Sequence, residues 1–215
     1  MLVGGAGRPD SFRAVLITVE GIDGAGKTTL VAALAGALRA RGCDVEVLRE
    51  PGGVELSERL RALVKDPGLT VGARAEALVY AAARAQLVEE RLRPLLAGGR
   101  WVLLDRFVDS SLAYQGAARG LGVEAVRALN AFATGGLRPD RTLLLRVEPR
   151  VGLARVGGRG GQEDRIERER EAFWLACARA YDALAAAEPE RWVVIDAAQP
   201  PERVLEDALA QLDAA

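Results

Sequence analysis

The chain has 215 residues, half of them hydrophobic, with 29 basic against 30 acidic side chains and a formal net charge of −1. That size and apolar share suit one globular domain, and the lack of excess positive charge argues against a nucleic-acid backbone as partner. Two distant cysteines, Cys43 and Cys177, and no histidine leave no zinc-type ligand set; no apolar run reaches the roughly 20 residues of a membrane span. A cytoplasmic protein bound to no membrane is the expectation.

Residues 1–13 are rich in Gly, Pro and polar residues without any period and read as a flexible N-terminal extension, leaving a single domain over 14–215. Five short apolar runs follow in chain order: VLITVE (15–20), DVEVLRE (44–50), WVLLDR (101–106), RTLLLRV (141–147) and RWVVIDA (191–197). They predict strands buried on both faces. Ala/Leu/Arg/Glu segments with helical spacing lie between and after them at 27–41, 73–97, 122–134, 163–187 and 201–213. The alternation predicts an α/β fold of three layers around a doubly wound, parallel, five-stranded sheet. The Gly/Arg stretch RVGGRGGQEDR (155–165) breaks the helical pattern and is expected to form a mobile lid.

The sharpest motif runs through Gly21, Ile22, Asp23, Gly24, Ala25, Gly26, Lys27 and Thr28, a GxxxxGK[ST] pattern set between the first predicted strand and the first predicted helix. This is the context of a P-loop NTPase. Glycines let the loop turn its N–H groups inward, and the helix start at Lys27, Thr28 and Thr29 adds a positive dipole end, so that ATP phosphates are held. Lys27 is placed to reach the β- and γ-phosphates. Thr28 offers a hard oxygen to Mg²⁺, and Asp105, ending the third predicted strand, is the candidate for a second.

A regulatory GTPase would need an Asn-Lys-x-Asp motif to read guanine, but the only asparagine is Asn130, followed by Ala-Phe-Ala. A small-molecule kinase needs instead a second substrate in line with the γ-phosphate and arginines to neutralise the transferred group. A monophosphate acceptor is already largely dianionic near neutral pH and needs no base, which suits a chain without histidine.

The segments EGIDGAGKTT (20–29), REPGG (49–53), YAAAR (80–84), DRF (105–107), SSLAYQG (110–116), RPD (138–140) and DRIE (164–167) together resemble the thymidylate kinase family, in order from Val15 to Asp196. The resemblance implies transfer of the γ-phosphoryl group of ATP to dTMP, giving dTDP and ADP, with Mg²⁺ and in a homodimer to which segment 73–97 contributes. It implies that Arg49 and Arg106 contact the dTMP phosphate, as forked guanidiniums suit phosphate oxygens. Asp23 is implied to meet the deoxyribose 3′-OH and to orient the phosphate-binding arginine. Glu50 is either another acidic neighbour of the acceptor or the partner of an arginine.

Tyr80 and Arg84 lie one helical turn apart, so they share a face; by resemblance the ring stacks on thymine and the arginine bonds its carbonyl. The family more often carries Phe at the position of Tyr80. Ser111 matches a residue that reads the thymine edge, Tyr114 one that crowds the 2′ position of the sugar, and Gln115 finishes that pocket. The P-loop carries Gly-Ala where some members have a basic residue, so the catalytic arginine is implied to come from the lid. Arg159 takes that role, with Arg155 and Arg165 as helpers, and Arg155 also flanks adenine together with 196–200. Two other readings stay open: a deoxynucleoside kinase acting on a 5′-hydroxyl, and a non-catalytic ATP-binding switch.

Overall fold

The inner strands β1 (Val15–Glu20), β3 (Trp101–Asp105) and β4 (Arg141–Arg146) are runs of Val, Leu, Ile and Thr whose central residues are buried on both faces. The edge strands β2 (Val45–Arg49) and β5 (Trp192–Asp196) correct the expectation of five fully buried strands: Val47 and Val194 are exposed, while Val45, Leu48, Trp192 and Ile195 are buried. An edge strand has one neighbour, and the covering helices leave part of it to water. The computed structural model describes residues 14–158 and 164–213. All strands run parallel in the order β2-β3-β1-β4-β5. The connections part to opposite sides at β1, which opens a crevice beyond its C-terminal end.

The helices are α1 (Lys27–Ala40), α2 (Glu55–Lys65), α3 (Ala73–Leu87), α4 (Arg93–Ala97), α5 (Val108–Ser111), α6 (Val123–Thr134), α7 (Pro149–Gly157), α8 (Glu171–Ala187) and α9 (Pro201–Asp213). A π-helical turn, Val88–Leu92, joins α3 to α4, and a second, Leu112–Ala118, prolongs α5. The segment expected to be helical from 163 becomes so only at Glu171. The Asp164 carboxylate accepts the N–H groups of Ile166 at 2.8 Å and Glu167 at 3.0 Å, closing a local turn that competes with helix.

Period-two alternation sorts the core into two clusters. Ile17, Val19 and Leu103 join Leu34 and Leu38 of α1 and Val204 and Ala208 of α9. Leu16, Val102 and Leu104 join Leu87, Val88 and Leu92 in the other. The sheet is thus clamped between helical layers with its C-terminal edge open. Among the described residues no helix is long and apolar enough to cross a membrane.

Candidate active site

Between β1 and α1 the chain turns through Gly21, Gly24 and Gly26, all at positive φ. Gly24 has φ +79°, and a Cβ there would lie 2.7 Å from the carbonyl carbon of Gly152 and nearer still to its oxygen. The contact is mutual: a Cβ on Gly152 would lie 2.7 Å from the Asp23 carbonyl oxygen. Helix α7 therefore docks backbone to backbone on the P-loop, and Arg155, one turn further on, donates to Ala197 O at 3.0 Å and Gly24 O at 3.4 Å. Gly152→Val is expected to push α7 off the loop and lower kcat/KM for ATP by about 10², the scale set by a misplacement of about 1 Å. Steady-state kinetics against ATP checks this.

Lys27 folds back over the loop, its Nζ donating to Ile22 O at 2.8 Å and Gly21 O at 3.1 Å, with Asp23 Oδ1 at 3.9 Å. Burial, then the Arg106 charge, pull its pKa down to about 8 against the attraction of Asp23, Asp105 and Glu20. Thr28 Oγ1 donates to Asp105 Oδ2 at 3.1 Å, so the two hard oxygens named from the sequence meet at the mouth of the loop. Parallel register places Asp105 level with Val19 and Arg49 at the open edge of the sheet.

A cavity of about 630 Å³ extends from the P-loop across the ends of β2 and β3. Its walls bring together Asp23, Gly24, Gly26, Lys27, Thr28 and Thr29 from the donor side with Arg49, Glu50, Tyr80, Arg84, Asp105, Arg106, Ser111, Tyr114 and Gln115. Gly21 and Ile22 lie beneath the loop and supply carbonyls to Lys27, Ala25 is buried, and Arg155 reaches Ala197 beside the 196–200 segment. Arg159 lies outside the described residues. Arg165 is drawn elsewhere: it donates to Val64 O at 2.9 Å and to Glu76 Oε2 at 2.5 Å.

Arg106 sits at φ +70°, the one described non-glycine residue in the left-handed region. Its guanidinium bonds Gly21 O at 3.0 Å, Ser110 Oγ at 3.1 Å and the Asp23 carboxylate, and lies 5.1 Å from the centroid of the Tyr114 ring. Arg49 is half exposed and rests on Glu58 at 2.9 and 3.0 Å. Glu50 is buried against Arg84, whose Nε donates to it at 2.7 Å. Four N–H groups of Arg84 donate hydrogen bonds, to Glu50, Ser111 Oγ, Asn130 Oδ1 and Phe107 O, and its Nη2 also lies 2.6 Å from Glu50 Oε2 as an ion pair. In this arrangement Arg84 braces the pocket, with its donors turned to its protein partners. Tyr80 is partly buried on the cavity wall, and the Tyr114 hydroxyl is buried beside Arg106.

Three carboxylates escaped the sequence reading. Glu58 holds Arg49 and the Gly53 N–H, the latter at 2.9 Å. Glu76 is enclosed by Gln115, Arg119 and Arg165. Glu20, at the end of β1, is fully buried and accepts from Ser110 Oγ at 2.6 Å, Phe107 N at 2.7 Å and Tyr181 OH at 2.9 Å. Only Glu20 fell inside a quoted motif; Glu58 lies on the unforeseen helix α2, and the partners of Glu76 are remote in sequence.

Burial, then the charge of Asp109, push the Glu20 pKa up to about 7, with Ser110, Arg106 and Phe107 opposing. The folded chain therefore keeps a proton that the unfolded chain releases near 4.5, and stability drains away as pH rises from there to about 7. Glu20→Gln is expected to gain stability over the parent across that window and to show no such gain below it, measured by denaturant titration at both ends.

Sheet order, loop and cavity define a P-loop NTPase with a second-substrate cleft beside its phosphate loop. The thymidylate kinase family model matches residues 19–208. The chain is 49% identical over 202 residues to the thymidylate kinase of Halorhodospira halophila, covering 92% of this chain and 93% of that protein. It is 47% identical over 192 residues to the thymidylate kinase of Deinococcus radiodurans, covering 89% and 93% respectively. The chain belongs to the thymidylate kinase family.

Proposed function

We propose that the protein transfers the γ-phosphoryl group of ATP to dTMP, giving dTDP and ADP. One observation carries this beyond family membership: a single cavity joins the P-loop to the arginines and polar side chains of an acceptor pocket, so both substrates meet in one space. The P-loop amides and Lys27 hold the donor phosphates. Arg49 and Arg106 receive the acceptor phosphate, the first by exchanging Glu58 for it, the second already set by Asp23. Transfer then needs little beyond alignment and charge neutralisation.

Thr28 and Asp105 fit Mg²⁺, which takes one or two protein oxygens and completes its shell with phosphates and water. When bound, the ion offsets charge on the transferred phosphoryl group. Arg159 is assigned to that group by resemblance alone, and kcat of Arg159→Ala is its check. Leu78 of α3 and Phe132 of α6, both exposed on helices that pack together, support a homodimer, which analytical ultracentrifugation tests. We place the enzyme in the cytoplasm, a location that imaging of a tagged chain tests.

Release of ADP, followed with ATP·Mg²⁺ and dTMP, dUMP, UMP, CMP, AMP or thymidine in turn, decides the acceptor. dTMP is expected to give the highest kcat/KM. Preference for thymidine would make the chain a deoxynucleoside kinase, and binding of ATP without turnover of any acceptor would make it a switch.

A further inference from the structure

Glu76 is wholly buried on α3, one turn before Tyr80, behind the residues that line the cavity. Its Oε1 accepts Gln115 Nε2 at 2.8 Å and Arg119 Nε at 3.2 Å; its Oε2 faces Arg165 Nη2 at 2.5 Å and Arg119 Nη2 at 3.1 Å. Burial would raise its pKa, but the bonds from Gln115, Arg119 and Arg165 hold it below the ordinary value. The group is therefore a carboxylate at neutral pH, and a carboxylate only accepts hydrogen bonds.

That fact orients a neighbour. The side-chain amide of Gln115 has two ends, and the network settles which faces where. With its NH₂ donated to Glu76, Gln115 turns its carbonyl oxygen away, and that oxygen takes no hydrogen bond from any described residue. Gln115 is 2% exposed and lines the cavity. Four residues earlier, Ser111 lines the same wall; its Oγ accepts from Arg84 at 2.9 Å, so its own O–H is free to donate. The wall thus offers a donor and an acceptor side by side. A pyrimidine edge with a carbonyl beside an N3–H complements this pair, whereas cytosine presents a bare N3 lone pair to the acceptor.

We propose that Glu76 is a positioning residue for base selection: it fixes the Gln115 amide with its oxygen toward the cavity, and so favours 2,4-dioxopyrimidine acceptors over cytosine. This rests on the acceptor reading given above. A glutamine at position 76 would break the arrangement, because Arg165 demands an oxygen on its side and the new NH₂ then faces Gln115. The Gln115 amide reverses to accept from it and shows its own NH₂ to the base.

The experiment compares kcat/KM for dTMP and dCMP in the parent chain, Glu76→Gln, Gln115→Leu and the double variant. The dTMP-to-dCMP ratio is expected to fall about ten-fold or more in Glu76→Gln, with the KM for ATP unchanged, and to fall no further when Glu76→Gln is added to Gln115→Leu. If Glu76→Gln does not fold, Glu76→Gln with Arg119→Gln removes the cation that the new NH₂ would face, leaves Arg165 to hold the amide oxygen, and carries the same expectation. A loss shared equally by both acceptors, with the ratio unmoved, makes Glu76 merely structural and overturns the inference alone. A parent chain that phosphorylates neither nucleotide overturns the acceptor reading and this inference with it.

Discussion

Lys27→Met is expected to lower kcat by about 10³ or more without lowering stability at neutral pH. The ammonium is buried on two loop carbonyls, and its pKa is drawn from 10.5 to about 8 by burial and by Arg106. Keeping the charge there at pH 7 opposes folding by up to about 3 kcal/mol. The sign follows: the unfolded chain binds more protons between about 8 and 10.5, so the penalty is whole below that window and fades as pH rises through it. Methionine fills the same space without the charge and removes the penalty. ATP phosphates pair with that charge when they bind, so the rise in melting temperature on adding ATP should shrink sharply in the variant. Kinetics and melting curves, each with and without ATP, read both effects. A variant within ten-fold of the parent kcat would show that Lys27 adds little to transfer, and one that melts well below the parent at pH 7 would show that Lys27 holds the loop together.

Strand positions were legible because three of the five strands are enclosed by helices and must be apolar throughout. Edge exposure was missed for two reasons: RWVVIDA carries two charged residues in seven, as the inner RTLLLRV does, while the four charged residues of DVEVLRE were an edge signal that its apolar run outweighed. Three helical stretches went unseen for separate reasons. In α2 the apolar Leu56 and Leu63 point to solvent and only Ser57 and Val64 are buried, so hydrophobic spacing misled, although Glu55 and Glu58 at its start and Lys65 at its end follow dipole preference. In α7 the proline at its first turn was a start signal, outweighed by glycines that read as loop. One of them, Gly152, is small because the P-loop backbone lies against it. The segment 108–118 was read for its motif and not its shape, and its π-helical part follows no 3.6-residue period.

The candidate site divides in the same way. Side chains tied to a local pattern, such as Lys27 and Thr28 in the loop or Tyr80 and Arg84 one turn apart, were placed by sequence and do line one cavity. Their partners were not, because Glu50 and Arg84 are 34 residues apart, Glu76 and Gln115 are 39 apart, and only the folded sheet joins them. What spacing cannot reveal is which donors are turned to protein partners, and Arg84 is the instance.

Arg106→Ala is expected to lower kcat/KM for dTMP by about 10³ or more, the scale of an arginine that neutralises a phosphoryl group. Four neighbours and an aromatic ring hold the guanidinium in one place: Gly21 O, Ser110 Oγ, Tyr181 OH and the Asp23 carboxylate, with Tyr114 stacked against it. Alanine leaves Asp23 without its main cation, beside the space where two phosphate chains must meet. Backbone geometry adds a second, independent expectation. At φ +70° any side chain with a Cβ carries about 1–2 kcal/mol of left-handed strain, which glycine avoids. Arg106→Gly should therefore be as inactive as Arg106→Ala yet more stable by about 1 kcal/mol, in a comparison where both variants lack the same contacts. Urea titration of the pair isolates the strain, and kinetics isolates the charge. If the glycine variant proves no more stable, the left-handed turn stores no strain; if the alanine variant keeps activity within ten-fold, the acceptor phosphate is held by Arg49 instead. The two expected results together would mean that the chain bears local strain at the end of β3 to aim one guanidinium at the acceptor phosphate, and that stability and turnover pull in opposite directions at this residue.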